Sequence, residues 1–158
     1  MTINDCVSQN VQECTPTKIW KSGTIPYFCG EGEECFDPSE SGYQRALRNL
    51  INFPFVGLTE DFDDSVRIVE KMFPHYFDSL QHSFQHVQQH AMENTSTGHK
   101  AQQELATNAT LAEIEARMPF EIKFYEIIKQ RYAALKTYYL NDGPVPPFLL
   151  DSIEHFNK

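Results

Sequence analysis

The chain has 158 residues, a formal net charge of −9 and 41% hydrophobic residues. This length suits one domain or a piece of a larger one and is sufficient for a buried core. The apolar content excludes a disordered acidic tail, and without a run of 18 apolar residues we expect no membrane-spanning segment in this chain. The acid excess repels nucleic acid in the mean field, so we expect no nucleic-acid partner.

Four cysteines lie in the first 35 residues, within a turn-rich segment that Pro and Gly residues interrupt. Four cysteines allow three pairings. The sequential pairing, Cys6 with Cys14 and Cys29 with Cys35, closes two short loops that contain turn-forming residues. Zinc binding is the alternative, but the gaps of seven and five residues differ from the spacing that zinc sites prefer. Disulfides would indicate an oxidising compartment.

Two sequons for N-linked glycosylation, Asn94-Thr-Ser and Asn108-Ala-Thr, agree with passage through the secretory pathway. A secretory protein needs a targeting segment, and the residues after Met1 do not have the pattern of a signal peptide. We therefore expect either that the cysteines are not paired or that the natural protein has a further N-terminal part.

Helix signals begin after residue 38. Ser39 or Ser41 can cap a helix that runs to about Asn52. The apolar run 54–58 suits a buried strand, and Thr59 can cap the next helix, which Pro74 ends. The apolar face of this second helix repeats at steps of three and four: Phe62, Val66, Val69 and Phe73. Because a lone strand leaves backbone groups unpaired, the strand predicts a larger α/β domain.

The second half of the chain is predicted to be mainly helical. Residues 76–92 indicate a polar helix, and 93–109 indicate a loop. A capping box from Thr110 to Glu113 predicts a long helix to about Leu140, kinked or restarted at Pro119. The inner face of this helix comprises Phe124, Ile127, Ile128, Leu135 and Tyr139. A Pro-rich tail, 141–158, follows.

Three polar patterns suggest ligand sites, and each has a simpler explanation. His82, His86 and His90 share a helix face, but one ion cannot reach all three, so a solvated face is favoured. The acidic run 60–64 lacks the Gly and the distal Glu of a calcium loop and fits a helix N-terminus. The loop 94–100 could hold a phosphate, although an ordinary surface loop is favoured from these residues alone. We predict no metal site, and no catalytic motif appears.

One set of motifs carries a specific resemblance. It comprises the two cysteine pairs, Phe-Cys-Gly at 28–30, Val-Gly-Leu-Thr-Glu at 56–60, the aromatic helix end at 74–77 and Phe-Tyr-Glu at 124–126. Together these motifs resemble the C-terminal half of the heparan sulfate and uronyl 2-O-sulfotransferase family, which are Golgi carbohydrate sulfotransferases. The resemblance covers about residues 5–140.

The resemblance implies the fold class and the domain organisation. Residues 1–140 would be the C-terminal, mostly helical part of an α/β, P-loop-like sulfotransferase domain, with at least one buried strand at about 54–58 and a tail at 141–158. Within it, 1–38 would be held by disulfides and 93–109 would be a donor-site loop. The implied disulfides are Cys6–Cys14 and Cys29–Cys35.

The resemblance also implies the activity. Such an enzyme moves a sulfuryl group from 3′-phosphoadenosine 5′-phosphosulfate to a hydroxyl of a glycosaminoglycan-type polysaccharide or glycan, in the Golgi lumen or at the Golgi membrane. In the family the phosphosulfate loop and the histidine base precede the first cysteine pair. We therefore expect no catalytic residue in this chain, inactivity of the chain alone, and membrane attachment only through an N-terminal anchor that it lacks. The family forms trimers, which implies a homotrimer.

The implied donor-site residues lie between 80 and 100. Phe84 falls near a family tyrosine, and Ser96, Thr97 and Lys100 fall near family Ser, Thr and Lys positions. Family members also place an Arg in this loop for the acidic sugar, and this sequence has none there, so the acceptor is left open. The alternative is a non-catalytic secreted or lumenal binding module derived from such an enzyme, which would act through its aromatic surface.

Overall fold

The computed structural model describes residues 2–21, 23–85 and 106–150, and the regular structure within these ranges is helical. Three short 3-10 turns accompany the α-helices. The helices are α1 (Ile3–Ser8), α2 (Pro16–Lys21), α3 (Thr24–Cys29), α4 (Glu40–Leu50), α5 (Phe62–Met72), α6 (described over 80–85), α7 (Asn108–Arg117), α8 (Pro119–Leu140) and α9 (described over 147–150). Among the described helices none has the length and apolarity needed to cross a bilayer.

The chain divides into two compact units. The first comprises Met1–Phe53 and Ala101–Ile127, and the second comprises Pro54–Lys100 and Ile128–Lys158. Helix α8 contributes residues to both units, and its buried positions include Phe124 in the first and Leu135 in the second. Tyr132 is also buried on α8, although it was not among the residues predicted for the inner face.

The first unit is organised around two disulfides. Cys6 bonds to Cys14 with Cα atoms 5.8 Å apart, and Cys29 bonds to Cys35 with Cα atoms 5.6 Å apart. All four cysteines are buried and none is free. The sequential pairing is therefore confirmed, and no thiolate remains for the alternative zinc site.

Hydrogen bonds to backbone carbonyls hold the second disulfide loop in the core. Trp20 is 1% exposed, and its indole N–H donates to the carbonyl of Cys35 at 2.9 Å. From α4, the Asn49 amide donates to the carbonyls of Phe28 and Cys29 at 2.9 and 3.2 Å. These carbonyls lie at the C-terminal end of α3, where a helix leaves acceptors without intrahelical partners, so Asn49 ties α3 to α4.

Two predicted helix boundaries are confirmed. Ser39 is the N-cap of α4, and its hydroxyl accepts a hydrogen bond of 3.1 Å from the N–H of Gly42. Helix α7 ends at Arg117 and α8 begins at Pro119, as expected for a residue that cannot donate a backbone hydrogen bond.

The predicted capping box at Thr110 is wrong. Helix α7 begins at Asn108, and its N-cap is Thr107, whose hydroxyl accepts from the N–H of Thr110 at 3.2 Å. The Thr110 hydroxyl instead donates to the Asn4 side chain at 2.6 Å, and this contact with α1 removes it from a capping role.

The predicted strand at 54–58 does not form, and the α/β part of the expected fold class is not seen in the described residues. Residues 55–58 have no regular structure, and of the run 54–58 only Leu58 is buried. A strand needs a neighbouring ladder, and no described segment provides one. The backbone N–H of Leu58 donates to the Ser65 hydroxyl at 3.1 Å instead.

Candidate functional site

An apolar pocket lies in the second unit, between the irregular segment at 55–59 and helix α5. Its volume is about 230 Å³. Clefts that enclose a whole drug-sized ligand usually measure about 300–1,000 Å³, so this pocket suits one planar or apolar part of a ligand. The lining residues are Phe55, Gly57, Leu58, Thr59, Phe62, Ser65, Val66, Val69 and Leu80.

Ser65 fixes the irregular wall of the pocket. Its hydroxyl accepts from the N–H of Leu58 and lies 3.1 Å from the Leu58 carbonyl and 3.0 Å from the Asp61 carbonyl. One hydroxyl hydrogen can donate to only one of these carbonyls at a time. Ser65 is 6% exposed, so its hydroxyl gives hydrogen-bond partners to backbone groups that water does not reach easily. These hydrogen bonds keep the segment before α5 in place without a sheet.

Gly57 lets this segment approach α5 closely. A Cβ atom at position 57 would lie 3.2 Å from the Phe55 ring and 3.2 Å from the Cβ of Ser65. Both distances are tighter than ordinary van der Waals contact. A side chain at position 57 would therefore displace the wall or narrow the pocket.

The predicted apolar face of α5 forms the opposite wall. Val66 is buried, but Phe62 is 46% exposed and Phe73 is 36% exposed. The apolar repeat therefore lines an open pocket over part of its length rather than a closed core. Periodicity predicts which side of a helix is apolar, and it does not say whether protein or a ligand covers that side.

Lys136 of α8 anchors the start of α5. Its ammonium lies 2.6 Å from a carboxylate oxygen of Asp61 and 2.7 Å from one of Asp64. Hydrogen bonds to Asp61 and Asp64 raise the pKa of Lys136, and the hydrogen bond from Lys136 lowers the pKa of Asp64. Tyr132 donates to the Asp61 carbonyl at 3.1 Å, and burial raises the pKa of its hydroxyl.

These contacts account for part of the acidic run 60–64. The run begins with a 3-10 turn, Thr59–Asp61, and α5 starts at Phe62 with Asp61 as its N-cap residue, so the prediction that Thr59 caps the helix is wrong. Asp61 and Asp64 both form ion pairs with Lys136. In the described part of the chain, no group of three or more His, Cys, Asp or Glu side chains is placed to hold one.

Of the predicted donor-site residues, Phe84 lies within the described residues. Its ring packs against Phe62, with centroids 4.7 Å apart and planes tilted by 33°. Because Phe62 lines the pocket, Phe84 flanks it. Ser96, Thr97 and Lys100 lie outside the described residues.

The histidines considered for a metal site and the asparagines of the two sequons lie partly within and partly outside the described residues. His82 is exposed, whereas His86, His90 and Asn94 lie outside the described residues. Asn108 is exposed as the first residue of α7.

Sequence reasoning missed Ser65 and Leu80 as pocket residues. Ser65 gave one weak signal, since it is a polar residue beside the apolar positions of α5. Among the described residues that line the pocket there is no carboxylate, histidine or lysine. The described lining therefore suits an apolar ring or chain.

Comparison with known proteins finds sequence similarity to two kinds of 2-O-sulfotransferase. It is 28% identical over 137 residues to uronyl 2-sulfotransferase of Homo sapiens, which is 86% of this chain and 33% of that protein. It is 27% identical over 141 residues to heparan sulfate 2-O-sulfotransferase 1 of Homo sapiens, which is 87% of this chain and 38% of that protein.

The chain thus spans about a third of the length of the curated relatives it matches. No family model matches it, and no solved structure matches it significantly. The resemblance to the heparan sulfate and uronyl 2-O-sulfotransferases, predicted from the cysteine pairs and the Val-Gly-Leu-Thr-Glu motif, is confirmed by these relatives.

Proposed function

We propose that the chain is the C-terminal part of a glycosaminoglycan-type carbohydrate sulfotransferase that uses 3′-phosphoadenosine 5′-phosphosulfate as donor. The observation that carries this proposal is the similarity to two kinds of 2-O-sulfotransferase over 86–87% of the chain. The two buried disulfides fit the oxidising lumen of the Golgi, which we propose as its location. A homotrimer is proposed from the resemblance alone.

In this proposal the pocket between 55–59 and α5 receives the adenine ring of the donor. A heteroaromatic ring gains both apolar burial and offset stacking from phenylalanine side chains. Phe62 is half exposed beside the pocket, and Phe84 supports it from α6. The phosphates would be bound by Ser96, Thr97 and Lys100, the residues that the resemblance assigns to this task.

Transfer of the sulfuryl group needs a general base and a phosphosulfate loop, and neither is among the described residues that line this pocket. The acceptor hydroxyl oxygen forms a bond to sulfur while the bond from sulfur to the donor phosphate breaks, and a general base takes the hydroxyl proton. By resemblance, that base and the phosphosulfate loop belong to an upstream part of the enzyme. The chain described here would contribute donor binding rather than proton transfer.

Activity is tested best on the native protein. An antibody raised against this chain should precipitate from source tissue a protein that transfers labelled sulfate from the donor to desulfated heparan or dermatan polymers. Label on uronyl residues supports the proposal. A precipitate that contains the chain but transfers no label to any glycosaminoglycan contradicts it.

Donor binding is tested on the chain itself by calorimetry with 3′-phosphoadenosine 5′-phosphate. Phe84→Ala should weaken binding by about two- to tenfold, the range expected for loss of one aromatic contact. Tyr76→Ala is the matched control, because Tyr76 is 85% exposed in the same unit and does not line the pocket. An equal loss of affinity in both variants, or no effect of Phe84→Ala on affinity, would count against the assignment of this pocket to the donor.

One observation favours the alternative of a non-catalytic binding module. The segment after α5 exposes three aromatic side chains, Phe73, Tyr76 and Phe77, at 36%, 85% and 40%. Such side chains stack on sugar rings. Under this alternative, Tyr76→Ala would reduce retention on immobilised glycosaminoglycan, and the precipitated native protein would transfer no sulfate.

A further inference from the structure

We infer that glycosylation at Asn108 is decided before α1 packs against α7, because the native fold makes this sequon inaccessible to the glycosylating enzyme. The inference concerns the order of a modification and a folding step, and it does not depend on the proposed sulfotransferase activity. It rests on the contacts that three residues, Asn108, Thr110 and Asn4, make in the first unit.

The acceptor and the recognition residue of the sequon have opposite environments. Asn108 is exposed as the first residue of α7, whereas Thr110 is 8% exposed. The Thr110 hydroxyl donates to the Asn4 side-chain oxygen at 2.6 Å and lies 2.9 Å from the Thr107 hydroxyl. The hydroxyl that defines a sequon is therefore already hydrogen-bonded to α1 and to the N-cap.

Further contacts hold the first disulfide loop against the same helix. The Asn4 oxygen also accepts from the N–H of Thr107 at 3.0 Å. Near the other end of α7, the Arg117 guanidinium donates to the carbonyls of Val7 and Cys14 and to the Asn10 side chain, each at 3.1 Å. Exposure of Thr110 thus requires local separation of α1 from α7, and loss of the Asn4 contacts should make this separation easier.

The chemistry of N-glycosylation needs the opposite arrangement. The Asn108 amide nitrogen bonds to C1 of a lipid-pyrophosphate-linked oligosaccharide, the bond from C1 to phosphate breaks, and the amide proton leaves to a base of the enzyme. The transferase must bind the Thr hydroxyl together with the acceptor amide, so it needs a sequon on an accessible, loop-like backbone. In the native chain the sequon is helical and its hydroxyl is buried.

A glycan that is added earlier does not oppose the native contacts. The Asn108 side chain is at the surface, while the interface with α1 is made by Thr107 and Thr110. The glycan occupancy of Asn108 is therefore set by two rates, that of glycan transfer and that at which α1 packs against α7. The Cys6–Cys14 disulfide joins α1 to the loop that also contacts α7. Conditions that delay this disulfide should raise occupancy.

The test compares two forms of the same full chain as substrates for a purified oligosaccharyltransferase with its lipid-linked oligosaccharide. One form is folded with both disulfides, and the other is reduced and alkylated so that it stays unfolded. Mass spectrometry of the peptide that contains Asn108 gives the occupancy. We expect the folded chain to be modified at least about tenfold more slowly, since it must open locally first. Thr110→Ala should abolish modification at Asn108 in both forms.

A pair of variants tests the proposed contact. Asn4→Ala removes the acceptor for Thr110 and should raise the rate for the folded chain, with a native circular dichroism spectrum as the check on folding. Asn49→Ala removes a comparable bond from an asparagine to the backbone in the same unit and should leave the rate unchanged. Equal rates for the folded and the alkylated wild-type chain would overturn the inference. Absence of transfer to Asn108 in the alkylated chain would overturn it as well.

Discussion

Glu121 Oε1 accepts a hydrogen bond of 2.9 Å from the backbone N–H of Ile25, although 96 positions separate the two residues in the chain. Its other oxygen accepts a bond of 3.1 Å from the N–H of Thr24. Glu121 is 6% exposed, so this buried carboxylate satisfies the first free N–H groups of α3. A Cβ atom at position 23 would collide with the carboxylate, which explains why glycine precedes the helix.

Glu121→Gln should destabilise the protein by about 1–3 kcal/mol. The amide keeps one acceptor oxygen but directs an NH₂ group at the second backbone N–H, which then has no acceptor. Urea unfolding measures the change. Glu115→Gln is the matched control, because Glu115 is an exposed carboxylate in the same unit. Equal unfolding free energies for Glu121→Gln and the wild type would contradict the capping role.

Burial raises the pKa of Glu121 above its ordinary value of 4.5, although its bonds from Ile25 and Thr24 act in the opposite direction. Between the unfolded and the folded pKa the native state therefore binds more protons than the unfolded state. By linkage, the contribution of Glu121 to the free energy of unfolding falls as pH rises through that window. We expect the stability advantage of the wild type over Glu121→Gln to grow as pH is lowered from neutrality towards 4.5. An advantage that shrinks over this range would show that the pKa is lowered instead.

Arg117→Lys should destabilise the first unit by about 3 kcal/mol, because a lysine cannot reach all four acceptors that the guanidinium contacts. The Arg117 side chain is 16% exposed, so the carbonyls of Val7 and Cys14 would lose partners that water does not easily replace. Thermal unfolding measures the loss.

Arg45→Lys is the control for this change. Arg45 pairs with Glu34 at the surface of the same unit, with a side chain that is 38% exposed. Exposed pairs contribute at most about 1 kcal/mol, so its replacement should have a small effect. If the two substitutions were equally costly, the bridge from α7 to the first disulfide loop would not contribute specifically.

Local signals predicted two helix boundaries correctly. Ser39 caps α4 because its hydroxyl needs only the N–H three residues later, and Pro119 restarts the chain as α8 because it lacks an N–H. The two disulfides each close a short loop, and their pairing is the one that the family resemblance implied.

Contacts between distant residues could not be predicted in this way. The Thr110 hydroxyl does not cap the helix, because it donates to the side chain of Asn4, which lies 106 positions earlier. The run 54–58 has the composition of a strand, but Ser65 satisfies the backbone of Leu58 where a second strand was expected. For the candidate site, the resemblance implied Phe84 as a donor-site residue, and the structure shows that its ring packs against Phe62, which lines the pocket. The role of Ser65 in the pocket wall depends on its hydrogen bonds to Leu58 and Asp61, which its sequence position indicates only weakly.

Ser65→Ala tests whether the pocket depends on this hydroxyl. The substitution leaves the buried N–H of Leu58 without its acceptor, so we expect a loss of about 1–3 kcal/mol in unfolding free energy. The pocket wall at 55–58 would also be held less firmly. The affinity for 3′-phosphoadenosine 5′-phosphate should therefore fall together with the unfolding free energy. Ser83→Ala, an exposed serine in α6, is the control. Weaker binding without any loss of stability would mean that Ser65 contacts the ligand directly, whereas loss of stability with unchanged binding would separate this wall from the donor site.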